Sequence, residues 1–217
     1  MKVLGISCFF HDSAACIVEN GKIIAACQEE RFSRLKNDHN FPVQAIKFCL
    51  KQSGVDINEV DKIVFYEDTE KKYKRILFSY KRFFPKSISL ILKTFFSWTF
   101  KRRYYIKILK KEFINYFNII IDDYKFSHID HHLSHAASAF HPSPFSEATI
   151  LVLDGVGEFN TTTIWKGDQN GIKLVKKIDF PNSLGLLYSA FTYFCGFKVN
   201  NGEYKLMGLA PYGNPVY

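Results

Sequence analysis

The order of predicted strands repeats once along this 217-residue chain, and that repeat limits the folds open to it. Near the N-terminus, residues 3–7, 14–19 and 22–28 predict three strands, and Asn20-Gly21 predicts a two-residue hairpin between the second and third. From residue 149, a strand, a glycine turn and further strands follow again. Two such units predict a duplicated α/β fold with a cleft between its halves.

The segments between and after these strands predict helices, short strands and loops. Apolar residues fall on one face of residues 43–52, which end at Ser53-Gly54, and residues 183–194 predict a helix capped by Asn182 or Ser183. Further strands are predicted at residues 61–66, 124–130, 149–154 (buried), 161–166 and 173–178. The charge-dense residues 29–39 predict a solvated loop, and residues 200–213 a glycine-punctuated loop.

Residues 71–111 differ in composition from the rest of the chain. They hold fourteen Lys and Arg, eleven aromatic residues and no Asp or Glu. The apolar middle, residues 87–100, is shorter than the roughly 20 residues that a membrane span needs, and it contains Lys93. We expect two or three amphipathic helices with a basic outer face and no membrane span. The alternative is that this segment binds nucleic acid or anionic lipid electrostatically. The net charge of +8 favours an acidic partner but does not identify which one.

Cysteine usage and the N-terminus bear on localisation. The five cysteines form no C-x-x-C pair and lie mostly in apolar runs, which is typical of reduced thiols. The first residues lead directly into a strand pattern and show no signal peptide. We expect a cytoplasmic protein.

Four of the seven histidines cluster near one Ala-rich helical segment. His131 and His135 are four residues apart, so on a helix both imidazoles project from one face. Asp154 follows His135 by 19 residues and ends a strand. Two imidazoles and a carboxylate form a ligand set for zinc, iron, copper or nickel that leaves positions open for substrate. The other interpretation is that such a histidine pair caps a helix or fills a core. The neighbouring His128 and His132 are expected to be structural or to contact the ligand residues without binding the metal. His141 is expected on the surface.

Two turns have both a structural and a functional interpretation. The D-G-V-G-E turn at residues 154–158 either joins antiparallel strands tightly or cradles a phosphate with backbone N–H groups. The turn containing His11, Asp12 and Ser13 is either an ordinary hairpin or a phosphate-wrapping loop. Lys205 either contacts a phosphate or faces water.

Five motifs together resemble the N-terminal part of the NodU/CmcH-type O-carbamoyltransferases, and the similarity runs nearly end to end. The matching motifs are GI at residues 5–6 with HDSAA at 11–15, EERF at 29–32 with Lys36, DHHLSHAASA at 130–139, LDGVGE at 153–158 and GEYKLMGLA at 202–210.

The resemblance implies an α/β fold of the actin/heat-shock-chaperone/sugar-kinase class, like that of TsaD, the catalytic subunit of tRNA threonylcarbamoyl transfer. Residues 1–217 would form the first lobe and part of the second, with a helical insertion at residues 71–117. It also implies a divalent metal, iron(II) in the best-understood members and with magnesium as another candidate, held by His131, His135 and Asp154 together with a further aspartate.

The resemblance further implies the reaction. A YrdC-like C-terminal domain makes carbamoyl-adenylate from carbamoyl phosphate and ATP, and the TsaD-like domain passes the carbamoyl group to a hydroxyl of a sugar-containing acceptor. His11 is the candidate base, since imidazole titrates near neutral pH. The candidates for nucleotide or substrate binding are Asp12, Ser13, Lys36, Gly155, Gly157, Glu158 and Lys205.

Three alternatives stay open on the sequence. Family members are more than twice as long, so we expect this chain to lack the YrdC-like domain and not to turn over alone. A TsaD-like component of tRNA threonylcarbamoyl transfer would bind RNA through its basic helices, although the HHLSHAASA motif fits the small-molecule branch better and we do not expect nucleic acid as a partner. A non-catalytic binding module is the third hypothesis. The acceptor stays open, and so does a homodimer.

Overall fold

A computed structural model describes residues 1–216, and Tyr217, the last residue of the predicted domain, lies outside them. The chain divides into two compact units, Met1–His131 and His132–Tyr217. Each unit contains one β-sheet, and the predicted α/β class is confirmed.

The first unit is built on a five-stranded mixed sheet. The strand order is β3-β2-β1-β4-β5, in which β1, β2 and β3 form an antiparallel meander while β4 and β5 run parallel to β1. Both residues of the Asn20-Gly21 turn have positive φ, as a tight hairpin of this length requires. The strands are β1 (Lys2–Ser7), β2 (Ala14–Glu19), β3 (Lys22–Gln28), β4 (Lys62–Phe65) and β5 (Phe126–His128).

Helices of the first unit cover its sheet and extend beyond it. Helices α2 and α5 contribute Ile46, Leu109 and Phe113 to a core that includes Leu4 and Ile63 of the sheet. Helix α2 ends at Gly54, whose left-handed backbone closes the helix. The helices are α1 (Glu30–Ser33), α2 (Val43–Ser53), α3 (Thr69–Arg82), α4 (Ile88–Ser97), a π-helical turn (Trp98–Arg102) and α5 (Tyr105–Phe117). The prediction of two or three helices in the basic segment is confirmed.

The second unit contains a three-stranded antiparallel meander, so the predicted repeat of the strand pattern is confirmed. Helix α6 packs Ala136 and Phe140 against Ile150, Val152 and Trp165 of this sheet. The elements are α6 (His131–Phe140), whose first residue closes the first unit, β6 (Ala148–Leu153), β7 (Asn160–Asp168), β8 (Gly171–Asp179), α7 (Leu184–Phe194) and α8 (Glu203–Leu209).

Three local predictions were wrong. Residues 29–39 are only in part a solvated loop, because Glu29 and Asp38 are buried and α1 begins at Glu30. Residues 200–213 contain α8 and a 3-10 turn (Ala210–Tyr212), since Glu203 accepts hydrogen bonds from the Asn200 N–H and the Ser189 hydroxyl and so ties the segment to α7. Strand β6 is buried on one face only: Ile150 and Val152 are buried while their neighbours are exposed.

Candidate metal centre

The first two turns of α6 and the end of β6 bring the three predicted ligands together. His131 and His135 lie one helical turn apart, and Asp154 directly follows β6. One ligand atom from each side chain lies within 4.8 Å of the other two. Two donors bound to one ion at about 2.1 Å lie roughly 3 to 4 Å apart, so small side-chain adjustments would suffice. The donor set of two imidazoles and a carboxylate fits a divalent transition metal.

The cluster is partly open to solvent. His135 is exposed, while His131 and Asp154 are half-buried. The ring of Tyr66 stands against the His131 ring at 5.6 Å between centroids. The His131 imidazole thus packs against one aromatic ring, and the His135 imidazole is accessible to solvent.

A hydrogen-bonded chain lies behind the ligands. The Trp165 indole N–H donates to Thr163 Oγ1 at 2.7 Å, and Thr163 Oγ1 lies 2.8 Å from Nδ1 of the fully buried His132. The other ring nitrogen of His132, Nε2, lies 4.0 Å from the Asp154 carboxylate. Nε2 of His132 therefore faces the Asp154 side chain from the buried side of the cluster.

Helix α7 holds the backbone of the Asp154-Gly155 turn. The Ser183 hydroxyl caps α7 by accepting from the Leu186 N–H, and it donates to the Gly155 carbonyl at 2.7 Å. A Cβ on Gly185 would lie 2.5 Å from the Asp154 carbonyl oxygen. Ser183 was predicted only as a helix cap and Gly185 not at all, because nothing in the sequence indicates which backbone a helical glycine meets.

The glycine turn after β6 is the tight connection between antiparallel strands β6 and β7. The Gly155 N–H donates to Oδ1 of Asp154 at 2.7 Å, and the Gly157 N–H donates to the Asn160 carbonyl at 3.0 Å. Both donors have acceptors inside the turn, so a phosphate would have to replace those acceptors. Glu158, in the same turn, is buried.

The N-terminal turn is also held by backbone hydrogen bonds. The Phe9 N–H donates to the His39 carbonyl, and the Ser13 N–H donates to the Asp38 carbonyl at 2.7 Å. Ser13 is fully buried, whereas the neighbouring Asp12 is half-buried and His11 is exposed. The exposed His11 places Nδ1 2.8 Å from the Asp12 carboxylate.

The two predicted lysines lie on the surface. Lys36 Nζ stands 3.4 Å from the Glu30 carboxylate. The Asn37 N–H, bound to that carboxylate, is the main reason that the pKa of Glu30 lies below its usual value, and Lys36 contributes to the same shift. Lys205 is exposed on α8.

His128 has partners away from the three ligands. Tyr105 Oη lies 3.0 Å from His128 Nδ1, and Asp68 lies 3.4 Å from its Nε2. Burial, with a smaller contribution from Asp68, raises the pKa of Tyr105 to about 12, so Tyr105 stays protonated at neutral pH. His128 thus serves to join α3, α5 and β5.

The chain matches one protein family and several curated relatives. The family described as the carbamoyltransferase N-terminus matches residues 2–216. An uncharacterised protein of Synechocystis (sll1178) is 50% identical over 99% of this chain and 35% of its own length. Nodulation protein NolNO of Sinorhizobium fredii is 34% identical over 96% of this chain and 28% of its own. The chain thus spans about a third of the length of these relatives.

Two further comparisons are more limited. Nodulation protein NolO of Bradyrhizobium diazoefficiens is 39% identical over 40% of this chain and 16% of its own length. Among solved structures, the activator of 2-hydroxyisocaproyl-CoA dehydratase from Clostridium difficile with bound ADPNP covers 91% of this chain and 53% of that chain. Its identity is 13% and its TM-score 0.43, a likeness too small to decide anything about this site.

Proposed function

This chain belongs to the carbamoyltransferase N-terminus family, and from that premise we propose that it forms the N-terminal portion of an enzyme that transfers a carbamoyl group from carbamoyl-adenylate to a hydroxyl of a sugar-containing small molecule. Carbamoyl phosphate and ATP would supply the adenylate. The observation that supports this role is the cluster of His131, His135 and Asp154 inside the matched residues.

The residues of this chain would hold and orient the reacting groups. A divalent ion on the three ligands, with iron(II) as our candidate and magnesium as the alternative, would supply Lewis-acid polarisation of a carbonyl or phosphate oxygen. The Gly155 N–H would orient the Asp154 carboxylate, and Ser183 at the start of α7 would hold the backbone beside it. His132 places its buried ring behind the same carboxylate, with Nε2 at 4.0 Å from it.

His11 is our proposed base for the acceptor hydroxyl. A carboxylate at 2.8 Å from Nδ1 favours the tautomer that carries its proton on Nδ1. Nε2 is then the basic nitrogen, and the exposed position of the ring allows it to take the hydroxyl proton. The exposed Lys36 and Lys205 are our proposed contacts to the nucleotide phosphates, with Asp12 beside His11. Gly155, Gly157 and Glu158 would shape the turn that holds Asp154, and Ser13 would pack beneath the N-terminal turn.

The metal site is tested by metal content and affinity. The full chain, loaded anaerobically with iron(II) and separately with zinc, should retain about one ion, measured by mass spectrometry of the metal. His131→Ala, His135→Ala and Asp154→Asn should each weaken binding by about a hundredfold or more, because each removes one of three ligands.

The matched control is His141→Ala, which removes an exposed imidazole just after the same helix and should leave metal content unchanged. Circular dichroism establishes that each variant is folded. A folded wild-type chain that retains no metal, or a His131→Ala chain that retains as much as the wild type, would contradict the site.

The alternative function is a TsaD-like role in tRNA threonylcarbamoyl transfer. Two relatives are named as nodulation proteins, which favours the NodU-type branch. Since the chain spans about a third of the length of its relatives, we propose that residues 1–217 do not turn over alone. Carbamoyl transfer by this chain, given ATP, carbamoyl phosphate and a glycoside, would contradict that part of the proposal. The cytoplasmic localisation stays a prediction.

A further inference from the structure

Helix α4 and the residues on either side of it expose a continuous row of large apolar side chains. Three members of this row, here called the exposed stripe, lie four residues apart within α4, so successive ones are on the same side of the helix, and the other two precede and follow α4. The exposed fraction of each side chain lies between 46% and 76%. Its members are Phe84, Ile88, Leu92, Phe96 and Phe100.

The orientation of the stripe is set by hydrogen bonds on the other side of α4. The Ser87 hydroxyl donates to the Tyr80 carbonyl at 2.7 Å, and Thr94 Oγ1 bonds the Tyr80 hydroxyl. Thr99 Oγ1 lies 3.0 Å from the Tyr73 hydroxyl. These contacts join α4 and the π-helical turn to α3 through polar groups, so the apolar side faces away from α3. No residue of α4 itself is buried.

Basic side chains surround the stripe. Lys86, Lys93, Lys101 and Arg102 lie within the same segment, and none of them forms an ion pair within residues 1–216. Some other basic residues of the segment form ion pairs, such as Lys72 with Glu67 and Arg103 with Glu70. Residues 71–111 contain no acidic residue of their own, and Lys86, Lys93, Lys101 and Arg102 add unpaired positive charge to this segment.

We propose that the exposed stripe inserts into the interface of an anionic lipid bilayer. Apolar side chains on one side of a helix and lysines beside them are the two features that hold an amphipathic helix in the headgroup region. Anionic lipid complements the unpaired lysines, and its acyl chains accept aliphatic side chains. A nucleic acid fits less well, because bases stack on aromatic rings and offer nothing to Ile88 or Leu92. Every helix in the described part of the chain is too short or too polar to cross a bilayer, which is compatible with binding at its surface.

The experiment is sedimentation of the full chain with phosphatidylcholine vesicles containing 0 or 30 mol % phosphatidylglycerol, a composition on the order of that in anionic membranes. We expect binding to the anionic vesicles that weakens when the salt concentration is raised. The double variant Leu92→Ser/Phe96→Ser should weaken binding by about tenfold or more. The triple variant Lys86→Gln/Lys93→Gln/Lys101→Gln should weaken it by about a hundredfold, at about fivefold for each lysine.

Matched controls test whether the location of the substituted residues matters, or only the loss of an apolar side chain or of charge anywhere on the surface. Ile120→Ser removes an exposed apolar side chain outside the stripe, and Lys22→Gln/Lys51→Gln/Lys176→Gln removes the same net charge from other parts of the surface. Both controls should bind the anionic vesicles like the wild type, and circular dichroism should show all variants folded. Equal losses in the controls and the stripe variants would overturn the proposal.

Other outcomes identify a different occupant and would also overturn the proposal. Absence of vesicle binding together with tight binding to single-stranded RNA would assign the surface to nucleic acid. Absence of vesicle binding together with a dimer that Leu92→Ser/Phe96→Ser dissociates, measured by analytical ultracentrifugation, would assign it to a second copy of this chain. Equal binding to neutral and anionic vesicles would show that the lysines do not contribute to membrane binding. None of these outcomes depends on carbamoyl transfer.

Discussion

At the scale of single residues, the candidate metal centre depends on side chains that do not bind the ion. Ser183 and Gly185 of α7 hold the backbone on either side of the Asp154-Gly155 bond, one by a hydrogen bond and the other by the lack of a side chain. The buried hydrogen-bonded chain from Trp165 through Thr163 ends at His132, whose Nε2 lies 4.0 Å from the Asp154 carboxylate. Residues from β7, α6 and α7 thus surround the backbone and the carboxylate of Asp154.

The lack of a side chain at Gly185 can be tested by a pair of glycine substitutions. Gly185→Ala places a Cβ 2.5 Å from the Asp154 carbonyl oxygen, so the turn must move. We expect a loss of about 1–3 kcal/mol in the free energy of unfolding, measured by denaturant titration, together with weaker metal binding. The control, Gly208→Ala in α8, meets no atom within 4 Å and should stabilise the chain by about 1 kcal/mol. Equal changes in the free energy of unfolding for the two variants would contradict the close approach of Gly185 to the Asp154 backbone.

At the scale of secondary-structure elements, the charged segment after β3 serves as a distant helix cap. Residue Pro42 precedes α2 and provides no side-chain cap. The buried Glu29 instead accepts from the Gln44 N–H at 3.0 Å and the Ala45 N–H at 2.8 Å. A carboxylate is favourable at this position because it faces the positive end of the helix dipole. The end of one strand thereby fixes the start of the next long helix.

Removing this cap should destabilise the first unit. Glu29→Ala leaves two helix N–H groups without their acceptor, at a cost of about 2–3 kcal/mol in the free energy of unfolding. Glu29→Gln keeps an acceptor oxygen but loses the charge, at a cost of about 1 kcal/mol. Chemical denaturation followed by circular dichroism measures both. The exposed Glu147, which pairs with Lys166 on the surface, is the control, and its replacement by alanine should change stability little. A Glu29→Ala chain as stable as the wild type would refute the cap.

At the scale of the whole molecule, the two units bury their apolar residues to different extents. The core of the first unit includes residues from β1, β2, β4, α2 and α5. The core of the second is a small cluster between α6 and its sheet, and Leu151, Leu187 and Phe194 stay exposed. The cysteines follow this difference. Cys8 and Cys49 lie in the first core, whereas Cys195 is exposed at the end of α7.

The thiols should therefore react at different rates. Burial raises the pKa of Cys49 to about 11 and also raises the pKa values of Cys8 and Cys16, so these thiols stay protonated at pH 8 and react slowly. With an aromatic disulfide reagent we expect Cys195 to react first, and Cys8 and Cys49 only on unfolding. Cys195→Ser should abolish the fast phase, while Cys49→Ser should retain it. A fast phase that persists in Cys195→Ser would contradict the assignment.

Much of the fold and part of the candidate site follow from local sequence. The Asn20-Gly21 hairpin and the helix stop at Gly54 depend on a few neighbouring residues, so the sequence alone determined them, and it left the cap of α7 between Asn182 and Ser183. The four-residue spacing of His131 and His135 likewise fixes their common helix face.

Only the tertiary structure decided what depends on residues far apart in the chain. The approach of Asp154 to the two imidazoles, the capping of α2 by Glu29, the contact of Gly185 with the turn and the formation of α8 all join distant segments. The glycine turn after β6 shows the same limit. Its sequence permits both a tight hairpin and a phosphate loop, and the hydrogen-bond acceptors of Gly155 and Gly157 are known only from the folded chain. The physical reason is that every residue except proline carries a backbone N–H. The residue type therefore does not specify which acceptor the N–H binds, and packing decides it.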